Sequence, residues 1–226
     1  MGTILHNRKR GLEYHVWTET SLAKYARVRK QPEFMLKWKE DHLLNRGVPV
    51  AHLIPMVPTF ELNPKSGKVI PDYISNTSNL MLVAEELRQY LTEHADAEIE
   101  FIPSQVKNHG GRLLKEPFYI ANVLGAVSCM DKRRSDIEWS SIDPDCPMCI
   151  RRLVLDHKKI PKNAKLFRLA NAVGLFLIRE DLFRDLFENG PSRGFASAKL
   201  PTMEASGAIL MMTPDQVLQG RSCRYY

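Results

Sequence analysis

Two segments of the chain superimpose without a gap at an offset of 95 residues, and this internal match constrains the fold more than any other feature. The first reads LMLVAEELRQYL (80–91) and the second reads LFLIREDLFRDL (175–186). Four apolar residues suit a strand buried on both faces, and the acidic pair that follows suits the positive end of a helix macrodipole. Because each helix is followed by another apolar piece, the pattern predicts two similar strand-helix-strand modules. Two unrelated amphipathic helices that each follow a strand would give the same pattern, so both interpretations stay open.

The rest of the chain adds short β-leaning runs and one further helical pattern. The runs between the matched segments are PFYIANVLGAVSCMD, RRLVLD and AKLFRLAN. An amphipathic pattern bracketed by Pro32 and Gly47 predicts a helix. The total is about seven strands and three helices, and the strands are not separated by helices regularly enough for a doubly wound fold. The sequence therefore predicts an α+β fold, with a mixed or mainly antiparallel sheet and about three helices.

The density of proline suggests where the chain divides. Five prolines and two glycines fall within residues 47–72, and this density predicts a connector folded onto the surface. We therefore expect an N-terminal segment packed on the core (1–70), an α+β domain (71–200) and a C-terminal tail (201–226).

The composition is that of an ordinary globular protein, with 44% hydrophobic and 26% charged residues among 226. No apolar run approaches the roughly 18 residues of a spanning helix, and the first residues lack the apolar region of a secretory signal. We therefore expect a cytoplasmic protein with no membrane partner. The net charge of +6 is segregated, because residues 1–50 carry +5, residues 51–150 carry −5 and residues 151–226 carry +6. The segregation reflects solvated faces, neutralisation between segments, or separate surfaces for charged partners.

Cys146 and Cys149 form a CPMC motif, whose spacing fits a redox pair or half of a zinc site. A redox pair sits at the start of a helix, whereas the residues after Cys149 predict a strand. A zinc site would need Cys129 and His157 as further ligands, and these two do not form a second close pair. We predict two loop thiols and no metal or other cofactor, with zinc as the open alternative.

The densest polar cluster is MDKRRSDIEW (130–139), between two predicted strands. Arginine and tryptophan are favoured anchors of protein-protein contacts, whereas binding of single-stranded nucleic acid would need more aromatic platforms than Trp139. A salt-bridged loop is the structural alternative. The candidate interface residues are Asp131, Arg133, Arg134 and Ser135, of which Asp131 and Ser135 fit equally well as structural caps.

Three segments, in this order, resemble a known bacterial family: residues 71–106, 117–139 and 166–200. The positions that carry the resemblance are Asp72, Glu85, Leu87, Phe101, Pro103, Tyr119, Asn122, Asp131, Ser135, Phe167, Arg168, Gly194 and Phe195. Over about residues 70–200 they resemble the myxobacterial-type immunity proteins of polymorphic toxin systems, formerly a domain of unknown function. Residues 1–70 fall outside the resemblance, and Ala196 departs from it.

The resemblance implies a non-enzymatic protein that binds and neutralises a cognate toxin effector protein. Such an inhibitor needs a complementary surface and no nucleophile, base or cofactor pocket. Together with the expected cytoplasmic location, the resemblance favours a toxin that acts in the cytosol.

Two other classes of function stay open from the residues alone. A basic nucleic-acid-associated protein would use Arg8, Lys9 and Arg10 together with the basic run Lys132, Arg133 and Arg134, and its binding would weaken steeply with salt. An enzyme with an unrecognised site would show a deep pocket that holds titratable groups with perturbed pKa values.

Overall fold

The computed structural model describes residues 13–20, 22–33, 35, 43–44, 46–141 and 143–200, together with the backbone of 210–211. These residues form thirteen strands and two α-helices with described bounds. In chain order the elements are β1 (Tyr14–Glu19), β2 (Val28–Lys30), β3 (Thr59–Leu62), β4 (Tyr73–Ile74), β5 (Leu82–Ala84), α1 (Glu85–His94), β6 (Ile99–Lys107), β7 (Phe118–Val123), β8 (Asp136–Trp139), β9 (Pro147–Arg152), β10 (Leu166–Leu169), β11 (Ala172–Arg179), α2 (Glu180–Asn189), β12 (Phe195–Lys199) and β13 (Leu210–Met211).

The strands form three sheets. A six-stranded sheet has the order β2-β3-β6-β7-β5-β4, a four-stranded sheet has the order β10-β11-β1-β12, and a three-stranded sheet has the order β13-β9-β8. Among these described strands β3 and β6 form the one parallel pair, and the other neighbours are antiparallel.

The predicted α+β class with mixed or antiparallel sheets is confirmed, and the predicted strand count is corrected. The strands number thirteen rather than about seven and belong to three sheets, because edge strands of two or three residues carry no periodic signal. Two α-helices have described bounds, and the count of about three stays a prediction, since most of the helix predicted between Pro32 and Gly47 lies outside the described residues. Neither described helix is long and apolar enough to cross a membrane.

Both helices have the same local topology. Helix α1 connects β5 to β6, and both strands pair antiparallel with β7. Helix α2 connects β11 to β12, and both strands pair antiparallel with β1. The acidic pairs lie in the first helical turns as predicted, and the buried residues of the helices are the predicted leucines, Leu87, Leu91, Leu182 and Leu186. A duplication as the origin of the two segments stays a prediction.

One buried cluster joins the two larger sheets through these helices. Val83 and Val123 of the six-stranded sheet belong to the same cluster as Phe176 of the four-stranded sheet and the helix leucines. Across the helices, the hydroxyl of Tyr90 donates to Oδ2 of Asp185 at 2.5 Å. The two sheets and helices therefore share one continuous apolar interior.

The N-terminal residues contribute strands to both larger sheets. Strand β1 lies between β11 and β12, and β3 pairs in parallel with β6. Phe60 and Leu62 of β3 are buried. The prediction of a surface connector over residues 47–72 is therefore wrong at β3, because the prolines of that stretch flank the strand and do not interrupt it.

The side chain of Asp72 links the six-stranded sheet to the loop that precedes β12. It is 1% exposed, and it accepts the backbone N–H of Arg193 at 2.9 Å and the guanidinium Nη2 at 2.5 Å. Gly194 follows with a φ of +88°, and a Cβ there would lie 2.2 Å from the carbonyl oxygen of Tyr73. Glycine is thus required for this close approach of the two segments.

The ion pair at the start of α1 gives a prediction of pH-dependent stability. Arg88 donates to Glu85 through Nε at 2.7 Å and Nη2 at 2.5 Å, and this lowers the pKa of Glu85 to about 2. Because the unfolded carboxyl has a higher pKa, the pair contributes stability above about pH 4.5, and the contribution is lost as the pH falls towards 2. We expect Glu85→Gln to lower the free energy of unfolding by about 1 kcal/mol at neutral pH.

Urea denaturation of the wild type and Glu85→Gln over a pH series measures this effect. The two curves are expected to converge towards the lowest pH at which the wild type is still folded. Glu86→Gln, next to it in the same helical turn, is the control. A loss that stayed constant down to that pH would contradict the ionic origin of the effect.

Candidate functional site

The four predicted interface residues lie in one turn that leads into β8. The carboxylate oxygen Oδ1 of Asp131 accepts the backbone N–H groups of Arg133 and Arg134, both at 3.1 Å. The hydroxyl of Ser135 accepts the N–H of Val154 at 2.9 Å and donates to its carbonyl oxygen at 3.3 Å. Asp131 and Ser135 thus hold the turn in place, whereas the side chains of Arg133 and Arg134 are exposed.

Substitutions in this turn should separate folding from binding. We expect Asp131→Ala to lower the free energy of unfolding by about 1 kcal/mol, because two backbone N–H groups lose their acceptor. Arg133→Ala, two residues away, should change it by less than about 0.5 kcal/mol, since that side chain is solvated. Chemical denaturation of both variants measures the difference. Equal destabilisation by the two substitutions would show that Arg133 also has a structural role.

Arg133 and Arg134 line a cleft together with Arg152, the last residue of β9. The cleft has a volume of about 690 Å³, within the usual range of ligand pockets. We call it the arginine cleft, and its other described lining residues are Glu13, Tyr14, Leu153, Val154, Leu155, His157 and Leu200. The turn before β8, the chain after β9, and the adjoining ends of β1 and β12 meet there.

The charge of the arginine cleft is positive. Glu13 is the one carboxylate among the described lining residues, and it forms an ion pair with Nζ of Lys199 at 2.8 Å. Among the described lining residues the three guanidiniums therefore face one carboxylate, which already has a cationic partner. Outside the lining, Asp131 forms an ion pair with Nη1 of Arg134 at 3.9 Å.

Arg152 differs from its neighbour Arg151 in its partners. Arg151 forms ion pairs with Asp136 at 3.7 Å and with Glu138 at 3.0 Å. In the part of the chain that the structure describes, Arg152 forms no ion pair, and its buried Nε has no hydrogen-bond acceptor. A buried donor without an acceptor costs free energy, so Arg152 has unused capacity to bind an anionic oxygen.

The floor of the cleft is apolar, and its side chains are buried. Tyr14 is 3% exposed, its hydroxyl donates to the carbonyl oxygen of Ala164 at 3.0 Å, and burial raises its pKa. Leu153 and Leu155 are buried beside it. The phenol therefore stays neutral at physiological pH and acts as an apolar surface under the charged rim.

His15 lies in the arrangement closest to a catalytic constellation among the described residues. Its Nδ1 is 3.1 Å from Oγ of Ser197, and its Nε2 contacts Glu180. The imidazole is 6% exposed and stacks on Phe183 at 4.6 Å between ring centroids. Because the group is covered by α2, a substrate has no approach to the imidazole, and the geometry suits a link between β1, β12 and α2 more than catalysis.

The most buried cation of the described structure is Arg168 of β10, which holds a structural network. Its guanidinium donates to the carbonyl oxygens of Val123 at 2.7 Å and Leu44 at 3.2 Å, and to Oδ1 of Asn122 at 3.0 Å. The amide of Asn122 donates in turn to Glu100 at 3.0 Å. Arg168 and Asn122 are each 1% exposed, so these two side chains offer no surface to a partner.

Cys146 and Cys149 are free thiols. The prediction of two loop thiols is wrong for Cys149, which lies within strand β9. Burial raises the pKa of Cys149, which makes a reactive thiolate unfavourable. Among the described residues no group of three or more His, Cys, Asp or Glu is placed to hold a metal ion.

The residues predicted for nucleic-acid binding are only partly brought together. Arg8, Lys9 and Arg10 lie outside the described residues. Lys132 pairs with Asp145 at 2.9 Å and lies 4.8 Å from the ring centroid of Trp139. Of the basic run at 132–134, only Arg133 and Arg134 line the cleft.

Arg152 is not among the predicted interface residues, and His157 is predicted only as a possible zinc ligand. The run RRLVLD predicts a strand, and β9 ends within it, but the run by itself predicts no site. The available signal was the arginine pair itself, because adjacent strand residues face opposite sides. One of them, Arg151, meets the acids of β8, and the other then needs a different partner.

A comparison with protein families finds that the model described as "Immunity protein family (Imm11)" matches residues 6–200. The match starts well before residue 70, so it includes most of the N-terminal segment that the sequence resemblance left out. No curated protein matches the chain.

Proposed function

We propose, because this chain belongs to the Imm11 family of immunity proteins, that it is a non-enzymatic protein that binds and neutralises a cognate toxin in the cytosol. The match over residues 6–200 is the observation that carries the proposal. The arginine cleft supports it, since an inhibitor acts through a preformed surface with complementary charge and shape.

We further propose that the turn Asp131–Ser135 belongs to the toxin interface. Arg133 and Arg134 are exposed at the rim of the cleft, and arginine is enriched at the energetic centres of protein interfaces. Asp131 and Ser135 contribute indirectly, because their hydrogen bonds fix the backbone that presents the two guanidiniums. Such pre-organisation lowers the entropic cost of association.

Co-expression with the toxin domain encoded beside the gene tests the function. The wild-type chain is expected to restore growth of cells that express the toxin, and to co-purify with it in one stoichiometric complex that survives a high-salt wash. An unrelated protein of similar charge, expressed at the same level, is the control. Growth arrest that persists despite soluble, folded chain would contradict the proposal.

Hydrogen exchange on the purified complex tests the proposed interface against a competing surface. Leu53, Met56 and Val57 are 39%, 59% and 50% exposed in the segment before β3, and form an apolar alternative. We expect slower exchange at the turn Asp131–Ser135 upon complex formation, with little change around residues 53–57. The reverse pattern would place the toxin on the apolar segment and exclude the turn as its main contact.

A further inference from the structure

We infer that the arginine cleft is a carboxylate receptor, which binds a short acidic segment of the toxin with the acid side chains on Arg133 and Arg152. The inference rests on the proposed function, and it adds the chemistry of the partner. The first step is the number of charges. Three guanidiniums line the cleft, and its single described carboxylate, Glu13, is paired with Lys199.

The second step is the state of the individual arginines. Within the described structure neither Arg133 nor Arg152 forms an ion pair, whereas the neighbouring Arg151 has two. The buried Nε of Arg152 has no acceptor among these residues. A guanidinium offers two parallel N–H donors that match the two oxygens of a carboxylate, so an incoming Asp or Glu would give each of these arginines an ion-pair partner.

The third step is the nature of the surface below the rim. Leu153, Leu155 and Tyr14 form a buried apolar floor, which suits a peptide whose acidic residues alternate with apolar ones. A single-stranded nucleic acid would need exposed aromatic rings for stacking, and Tyr14 is covered, with its hydroxyl bound to Ala164. The cleft therefore favours an acidic polypeptide over a single-stranded nucleic acid.

Fluorescence anisotropy with labelled probes tests the inference on the full chain. The probes are a peptide of alternating Glu and Leu, the same peptide with Gln in place of Glu, and a single-stranded oligothymidylate. We expect the Glu peptide to bind more tightly than both others. Arg133→Gln and Arg152→Gln should each weaken its binding about tenfold, since each removes a charge-assisted hydrogen-bond pair.

Arg112→Gln is the matched control, because it removes the same charge from the exposed loop between β6 and β7. Thermal unfolding checks Arg152→Gln for folding, and the solvated Arg133 provides an independent variant. Tighter binding of oligothymidylate, or equal affinity in wild type and both cleft variants, would overturn the inference. Neither result depends on protection in cells. The inference of a carboxylate receptor can therefore fail while the proposed toxin neutralisation holds, and neutralisation can fail while the carboxylate receptor holds.

Discussion

Arg168→Met is expected to lower the free energy of unfolding by about 4 kcal/mol, which is a large effect for a single substitution. Arg168 is 1% exposed, and it donates to the carbonyl oxygens of Val123, Leu44 and Val173, and to the amide oxygen of Asn122. Methionine fills a similar volume but removes all of these hydrogen bonds, most of which are buried. Methionine carries no charge, so folding no longer requires the desolvation of a guanidinium, but this gain offsets only part of the cost.

Chemical denaturation measures the loss, with Arg134→Met as the matched control. The Arg134 side chain is 72% exposed, and its substitution should change stability by less than about 0.5 kcal/mol. A double-mutant cycle with Asn122→Leu should show coupling of about 1 kcal/mol or more, because the two side chains share a hydrogen bond of 3.0 Å. A small loss in Arg168→Met would mean that water or a local rearrangement satisfies the freed carbonyl groups.

The family resemblance is carried in part by buried polar residues, and this limits what it could predict. Asp72, Asn122 and Arg168 carry the resemblance, and each is almost fully buried and hydrogen-bonded in the structure. Such positions specify how segments that are distant in sequence meet. The resemblance could therefore indicate the family and its fold, but not the residues that meet a partner.

Local sequence patterns predicted the helices well, but they could not predict which strands pair when the strands are distant in sequence. The acidic first turns and the buried leucines of α1 and α2 follow from spacing within ten residues. The place of β1 between β11 and β12 depends on pairing of Val16 with Leu177 and Ala198, which no local periodicity records. For the same reason one predicted sheet proved to be three.

The candidate site was predictable in its charged turn, whereas Arg152 was not predictable. A dense run of charges identified Arg133 and Arg134 directly from the sequence. Arg152 completes the cleft because β8 and β9 pair with Asp136 opposite Arg152, which brings the end of β9 beside the turn. Strand register, and not sequence proximity, assembles the three arginines.

Charge reversal in the arginine cleft is expected to have the largest effect on function. The double variant Arg133→Glu/Arg152→Glu should weaken toxin binding by at least a thousandfold and abolish protection in the co-expression assay. Truncating one partner of a buried charge pair costs about 2–5 kcal/mol, and a reversed charge adds repulsion of the acidic segment. Since each 1.4 kcal/mol is tenfold in affinity, two losses of at least about 2 kcal/mol each correspond to about a thousandfold or more.

Surface plasmon resonance with the isolated toxin domain distinguishes a binding role of the two arginines from a role in steering the encounter. A binding role for the arginines predicts faster dissociation, because the lost contacts are made only in the complex. A steering role alone predicts slower association that salt masks, with dissociation unchanged. Arg112→Glu, which reverses the same charge at an exposed site remote in sequence from the cleft, should leave dissociation within about twofold. Unchanged dissociation in the double variant would therefore remove the cleft from the interface, even if protection in cells were reduced.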